Sequence, residues 1–128
     1  MAFEYARDDT RRRVVIRFIG PLTADEGCQV ADRHHIEQVW GYAMVYDLTG
    51  VTVVPNRNDV QRVADYVQRL VEQRPHGPIA IVAPDAALFS LARLYAAFAG
   101  PTVRLNVFRN LTDAEEWLDT PGIDAPHR

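Results

Sequence analysis

Ile79-Ala80-Ile81-Val82-Ala83 contains no polar residue. A strand apolar on both faces must be covered on both, which places it inside a parallel sheet. The same logic applies upstream, where Ala43-Met44-Val45-Tyr46-Asp47-Leu48 reads as a buried strand ending in a polar turn, Asp47-Leu48-Thr49-Gly50. A helical pattern follows each of these runs, and strand-then-helix recurs until the chain ends. Such alternation predicts an α/β fold with a mostly parallel sheet and right-handed crossovers.

The N-terminal part differs. Residues 2–6 and 13–19 are strand-like runs around the polar turn Arg7-Asp8-Asp9-Thr10-Arg11-Arg12, so they form an antiparallel hairpin. Thr23-Ala24-Asp25-Glu26 is a capping box that opens a helix running into the mid-thirties, although Gly27 weakens it. Asn56-Arg57-Asn58-Asp59 opens the clearest helix. Val60, Val63, Ala64, Val67, Leu70 and Val71 make one apolar stripe, and Pro75-His76-Gly77-Pro78 ends it. A helix over 85–98 follows Pro84, and Gly100-Pro101 stops it. Val103, Leu105 and Val107 alternate with polar residues as a strand solvated on one face would, and Thr112-Asp113-Ala114-Glu115 caps a short last helix. The order is β-β-α-β-α-β-α-β-α. It implies one domain over residues 1–119, with a fraying Pro- and Gly-rich tail over 120–128.

Composition excludes several activities. All 14 basic residues are Arg, which removes Schiff-base chemistry and a phosphate-loop lysine. Ser90 is the sole serine. The net charge of −3 gives no global field to draw in nucleic acid. Arg7, Arg11, Arg12 and Arg13 are therefore read as a solvated hairpin turn. No run approaches the roughly 20 apolar residues of a membrane span. The first residues lack the form of a signal peptide, and lone Cys28 fits a reducing compartment, so a cytoplasmic location is expected. No metal-ligand spacing occurs, and Cys28 and His35 lie two helical turns apart, too far for an easy nucleophile–base pair. No cofactor, metal or catalytic residue is expected, and His76 is read as solvent-exposed.

Val45-Tyr46-Asp47-Leu48-Thr49-Gly50-Val51-Thr52-Val53 resembles the strand and Asp-Leu-Ser/Thr-Gly-Val turn of STAS-type, or SpoIIAA-like, domains. Gly77 to Asp85, the helix through Tyr95, Val107-Phe108-Arg109 and Glu115-Glu116-Trp117-Leu118 are similar to the STAS/SEC14 branch of that group. The resemblance covers nearly all of residues 3–119. It implies a SpoIIAA-like fold, and a domain that binds a protein partner or small ligand without catalysis. For the STAS/SEC14 branch it implies, as the alternative, a carrier or sensor of an apolar or lipid-like molecule. Antagonist members of the family carry a phosphorylatable Ser or Thr at the start of the helix after this strand. Here Val53-Val54-Pro55-Asn56-Arg57-Asn58 has no hydroxyl, so the usual phosphorylation switch is not expected.

In open α/β sheets, ligands sit beyond the carboxyl ends of the strands. That edge collects Asp47, Thr49, Asn56, Arg57, Pro84, Asp85, Arg109 and Asn110, of which the first seven are the candidate ligand-binding residues. Two helix N-termini with Arg57 and Arg109 suit an anion, although Asn56 and Asp85 also suit plain helix caps and Asp47 a turn acceptor. The second candidate is an interface. Eleven of the fourteen residues in 85–98 are apolar, more than one core-facing stripe needs. Phe89, Leu94, Tyr95 and Phe98 are its candidate contacts in a homodimer. Trp40, Tyr42, Tyr95 and Phe98 are alternatively the walls of an apolar pocket. If the helices gather on one sheet face, the other face needs cover, which a second subunit could give.

Overall fold

The structure is a computed structural model and describes residues 3–72, 76–101 and 103–120. Five strands form one sheet in sequential order: β1 (Phe3–Asp8), β2 (Arg13–Pro21), β3 (Ala43–Val53), β4 (Ile79–Val82) and β5 (Leu105–Phe108). β1 pairs antiparallel with β2, and the remaining neighbours are parallel. The helices are α1 (Ala24–Glu37), α2 (Arg57–Val71), α3 (Ala86–Ala99) and α4 (Leu111–Asp119). The α/β architecture expected from the alternating pattern is the one observed. The tail beyond Thr120 lies outside the described residues, as does His127.

Capping chemistry sets the helix starts. Thr23 Oγ1 accepts the Glu26 N–H, Asn56 Oδ1 that of Asp59, Asp85 Oδ1 that of Leu88 and Asn110 Oδ1 that of Asp113. Each supplies a partner to an N–H that the first turn leaves unpaired.

Both faces of the sheet are covered, unequally. Val14, Ile16 and Phe18 of β2, Met44 and Leu48 of β3 and Ile79 and Ile81 of β4 point to one side, under α1, α2 and α3. Val45, Ala80 and Val82 point to the other side, where Ala114 and Leu118 of α4 pack on them. The three crossover helices do gather on one face, as right-handed connections between sequential strands require. The opposite face is covered in part by α4, which follows β5.

Three expectations are corrected. The turn at Asp47-Leu48-Thr49-Gly50 is a bulge inside a longer strand. Arg17 pairs with Asp47 but Ile19 with Gly50, so β3 gains one residue on β2 and continues to Val53. Asp47 Oδ1 accepts the Thr49 N–H at 2.9 Å, giving a bulge amide a side-chain partner. Gly50 is required there because a Cβ would lie 2.8 Å from the Phe18 carbonyl oxygen. His76 is not solvent-exposed either. It is partly buried with its ring 5.6 Å from that of Trp40, and burial lowers its pKa. The last strand also starts later than its alternation suggested, at Leu105 rather than Val103.

Candidate functional site

The seven residues of the strand-end edge do not converge on one ligand position. Asn56 and Asp85 are occupied as helix caps. Asp47 is buried in its bulge, beside exposed Thr49. Among the described residues, the Asp47–Thr49 bond is the only hydrogen bond joining two of the seven. Pro84 is exposed. The Arg57 guanidinium lies 5.2 Å from the centroid of the Phe98 ring, and that of Arg109 lies 4.3 Å from Phe89. The two arginines offered for an anion thus stack on two of the aromatic residues offered for an interface.

The other interface candidates separate. Leu94 is half-exposed, whereas Tyr95 packs on the core and lines a cavity. Trp40 and Tyr42 are buried core residues outside that cavity.

That cavity is an apolar space enclosed by strands and helices. It has a volume of ≈ 110 Å³ and lies between the sheet and the helices. Phe18, Tyr46, Leu48 and Ile81 come from the strands. Gly27, Val30 and Ala31 come from α1, Val60, Val63 and Val67 from α2, and Leu91, Ala92 and Tyr95 from α3. Exposed Thr23 and half-exposed Pro55 and Asp59 form its mouth at the starts of α1 and α2. The α2 stripe read from the sequence is its roof, with Val60 and Ala64 buried and Val63 and Val67 half-buried. The sequence offered an apolar pocket, but of its four expected walls only Tyr95 lines this cavity, whose place between α1, α2 and the sheet was missed. Its signal was Gly27, read only as a weak point in a helix. A Cβ at Gly27 would lie 2.8 Å from Val63 Cγ2, so the glycine lets α1 and α2 approach closely.

Beside the cavity runs a buried polar chain. Tyr46 O–H donates to Met44 Sδ at 3.3 Å, and His34 Nε2 lies 3.0 Å from the same hydroxyl oxygen. Tyr5 O–H is 2.8 Å from His34 Nδ1. A neutral His34 with its proton on Nε2 satisfies every contact: Nε2–H donates to Tyr46 and Nδ1 accepts from Tyr5. His34 is 1% exposed, and desolvation holds its pKa down at about 3. Burial pushes the Tyr46 and Tyr5 hydroxyls up.

The nucleophile candidates are not activated. Burial raises the Cys28 thiol, the opposite of what thiolate chemistry needs. Among the described residues, no three His, Cys, Asp or Glu side chains stand close enough to hold a metal ion. None of the four hairpin arginines is free. Arg7 pairs with Asp9 and Glu37, Arg11 and Arg13 pair with Asp119, and Arg12 stacks over Tyr42. No helix among the described residues is long and apolar enough to cross a membrane.

Comparison with known proteins places this architecture. No family model matches the chain, and no curated protein sequence does. Solved structures do match. The anti-sigma factor antagonist SpoIIAA in its unphosphorylated form superposes with a TM-score of 0.53 at 16% identity, covering 92% of this chain and 96% of that one. An uncharacterised protein of the DUF3478 family from Shewanella loihica, described as having a SpoIIAA-like fold, gives a TM-score of 0.58 at 17% identity, covering 91% and 92%. The class is therefore an α/β domain with an antiparallel hairpin leading a parallel sheet. Within that class, this chain has a SpoIIAA-like fold.

Proposed function

We propose that this chain is a non-enzymatic binding domain that holds a small apolar ligand in the cavity between α1, α2, α3 and the sheet. The observation that carries the reading is the cavity itself, ≈ 110 Å³ of space bounded almost wholly by apolar side chains. Cores are normally packed with few voids above the size of a water molecule. An apolar cavity of about 150 Å³ stays dry and takes up a benzene-sized guest. The volume here suits a single ring or a short branched chain, and a long acyl chain has no room in it. Of the two ligand classes expected from the sequence, size thus favours a small molecule over a lipid.

The reading includes the absence of a phosphorylation switch. The link from β3 to α2 offers Val54, Pro55 and Asn56, with no hydroxyl, and the start of α2 is capped by Asn56. Thr49 and Thr52 are exposed but lie within β3, upstream of that position. A second reading, a protein partner or a second copy of the chain on α3, is favoured by the half-exposed apolar residues Phe89, Leu94 and Phe98.

Intact-mass spectrometry of protein purified gently from cell extract tests both parts in one experiment. The native spectrum is expected to show a small adduct that is lost on denaturation, with no stoichiometric phosphate in either spectrum. A chain that binds no small molecule, even with toluene added to saturation, contradicts the ligand reading. A phosphate on Thr49 or Thr52 that alters binding contradicts the second part.

A further inference from the structure

The cavity is not uniformly apolar. Tyr46 and Tyr95 line it. Tyr46 spends its hydroxyl on Met44 and His34. The Tyr95 hydroxyl makes no hydrogen bond to any described residue, and desolvation pushes its pKa up to about 12. A hydroxyl that no protein group bonds is open to a bond from a guest that enters beside it. Tyrosine in such a place keeps a polar handle that phenylalanine of nearly the same shape would lack. Tyr95 is therefore the one polar group offered to a guest inside the cavity.

The remaining lining decides what that guest is. No charged side chain borders the space except Asp59 at its mouth. An ionised guest would lose its hydration without gaining a counter-charge, and an anion would also face Asp59. The guest must be neutral. It must be close to one ring in size, and it has one position at which a polar group is met.

We infer that the cavity takes a neutral one-ring compound carrying a single hydroxyl, a phenol or comparable aryl alcohol, with that hydroxyl bonded to Tyr95 Oη. The inference rests on the ligand reading above and narrows it to a chemical class. A tyrosine hydroxyl both donates and accepts, so it pairs with a guest hydroxyl in either sense.

The test is a comparison of phenol and toluene binding by calorimetry, in the wild type, Tyr95→Phe and Val67→Phe. Toluene matches phenol in shape and lacks the hydroxyl. Tyr95→Phe is expected to weaken phenol about fivefold, one neutral hydrogen bond's worth, and to leave toluene unchanged. Val67→Phe, which fills the roof from α2, is expected to abolish binding of both. If both compounds bind the wild type but Tyr95→Phe changes them equally or not at all, the assignment of the hydroxyl is overturned while the cavity reading stands. If Val67→Phe leaves phenol binding intact, the guest lies elsewhere and the inference falls. If neither compound binds the wild type, the cavity reading falls with it.

Discussion

His34 shows how much one residue carries here. Its side chain is buried among Tyr5, Trp40 and Tyr46, with ring centroids 5.5, 5.4 and 6.0 Å away. It stays neutral because burial penalises the imidazolium, an effect that nearby His76 and Arg33 reinforce and Glu37 opposes. The unfolded chain releases that constraint, so the folded pKa of about 3 lies below the ordinary 6.5. With a depressed folded pKa, the contribution is fully present above pH 6.5 and is lost as pH falls toward 3. At pH 5 the loss amounts to about 2 kcal/mol. His76, lowered by burial as well, acts in the same direction. Urea titrations between pH 7 and 4 are expected to show this slope in the wild type and a flatter one in His34→Gln, which does not titrate. Equal slopes in the two proteins would remove His34 from the account. The sequence sets His34 next to His35, on a different side of the helix. It did not show the tyrosines, because Tyr5 and Tyr46 reach His34 from strands 29 and 12 residues away.

At the scale of elements, α2 and α3 contrast. The stripe of α2 was legible because period and burial coincide, with Val60, Ala64 and Val71 buried and Arg57, Gln61, Arg62 and Arg69 exposed. Helix α3 has apolar residues nearly all round, yet only Leu88 and Ala92 are buried. Its pattern announced excess apolar surface without saying where that surface goes. The structure divides it: Tyr95 turns to the cavity, Arg57 and Arg109 stack on Phe98 and Phe89, and Leu94 stays half-exposed. Self-association through this helix is therefore expected to depend on Leu94. Leu94→Glu should shift the protein toward monomer in sedimentation velocity while leaving its melting temperature within a few degrees. A wild type that stays monomeric to high micromolar concentration would refute the interface. The bulge in β3 was not legible in the same way. Asp-Leu-Thr-Gly has the composition of a turn, but pairing with β2 continues to Val53 and keeps those residues in the sheet.

The whole molecule is a sheet with a thick face and a thin one. The hairpin and the repeated strand-helix units were readable because an apolar strand and an apolar helix stripe each demand cover, and few topologies supply both. The thin face is closed at one end by Arg13, 6% exposed, whose Nη2 donates to Asp119 Oδ1 at 2.8 Å at the end of α4. A cation there also suits the negative end of the helix dipole. An apolar pocket was expected, but its place and most of its lining were not readable, since they depend on how closely three helices approach over the thick face rather than on any one segment. That cavity is also where the fold and the proposed function meet. Methyl NMR during titration with toluene tests it most directly. The account predicts saturable shifts confined to the methyls of Val30, Ala31, Val63, Val67 and Ala92, which border the cavity, with Val45 and Val82 on the α4 face unmoved. Shifts absent from the first group, or spread equally over both faces, would contradict a binding site between the helices and the sheet.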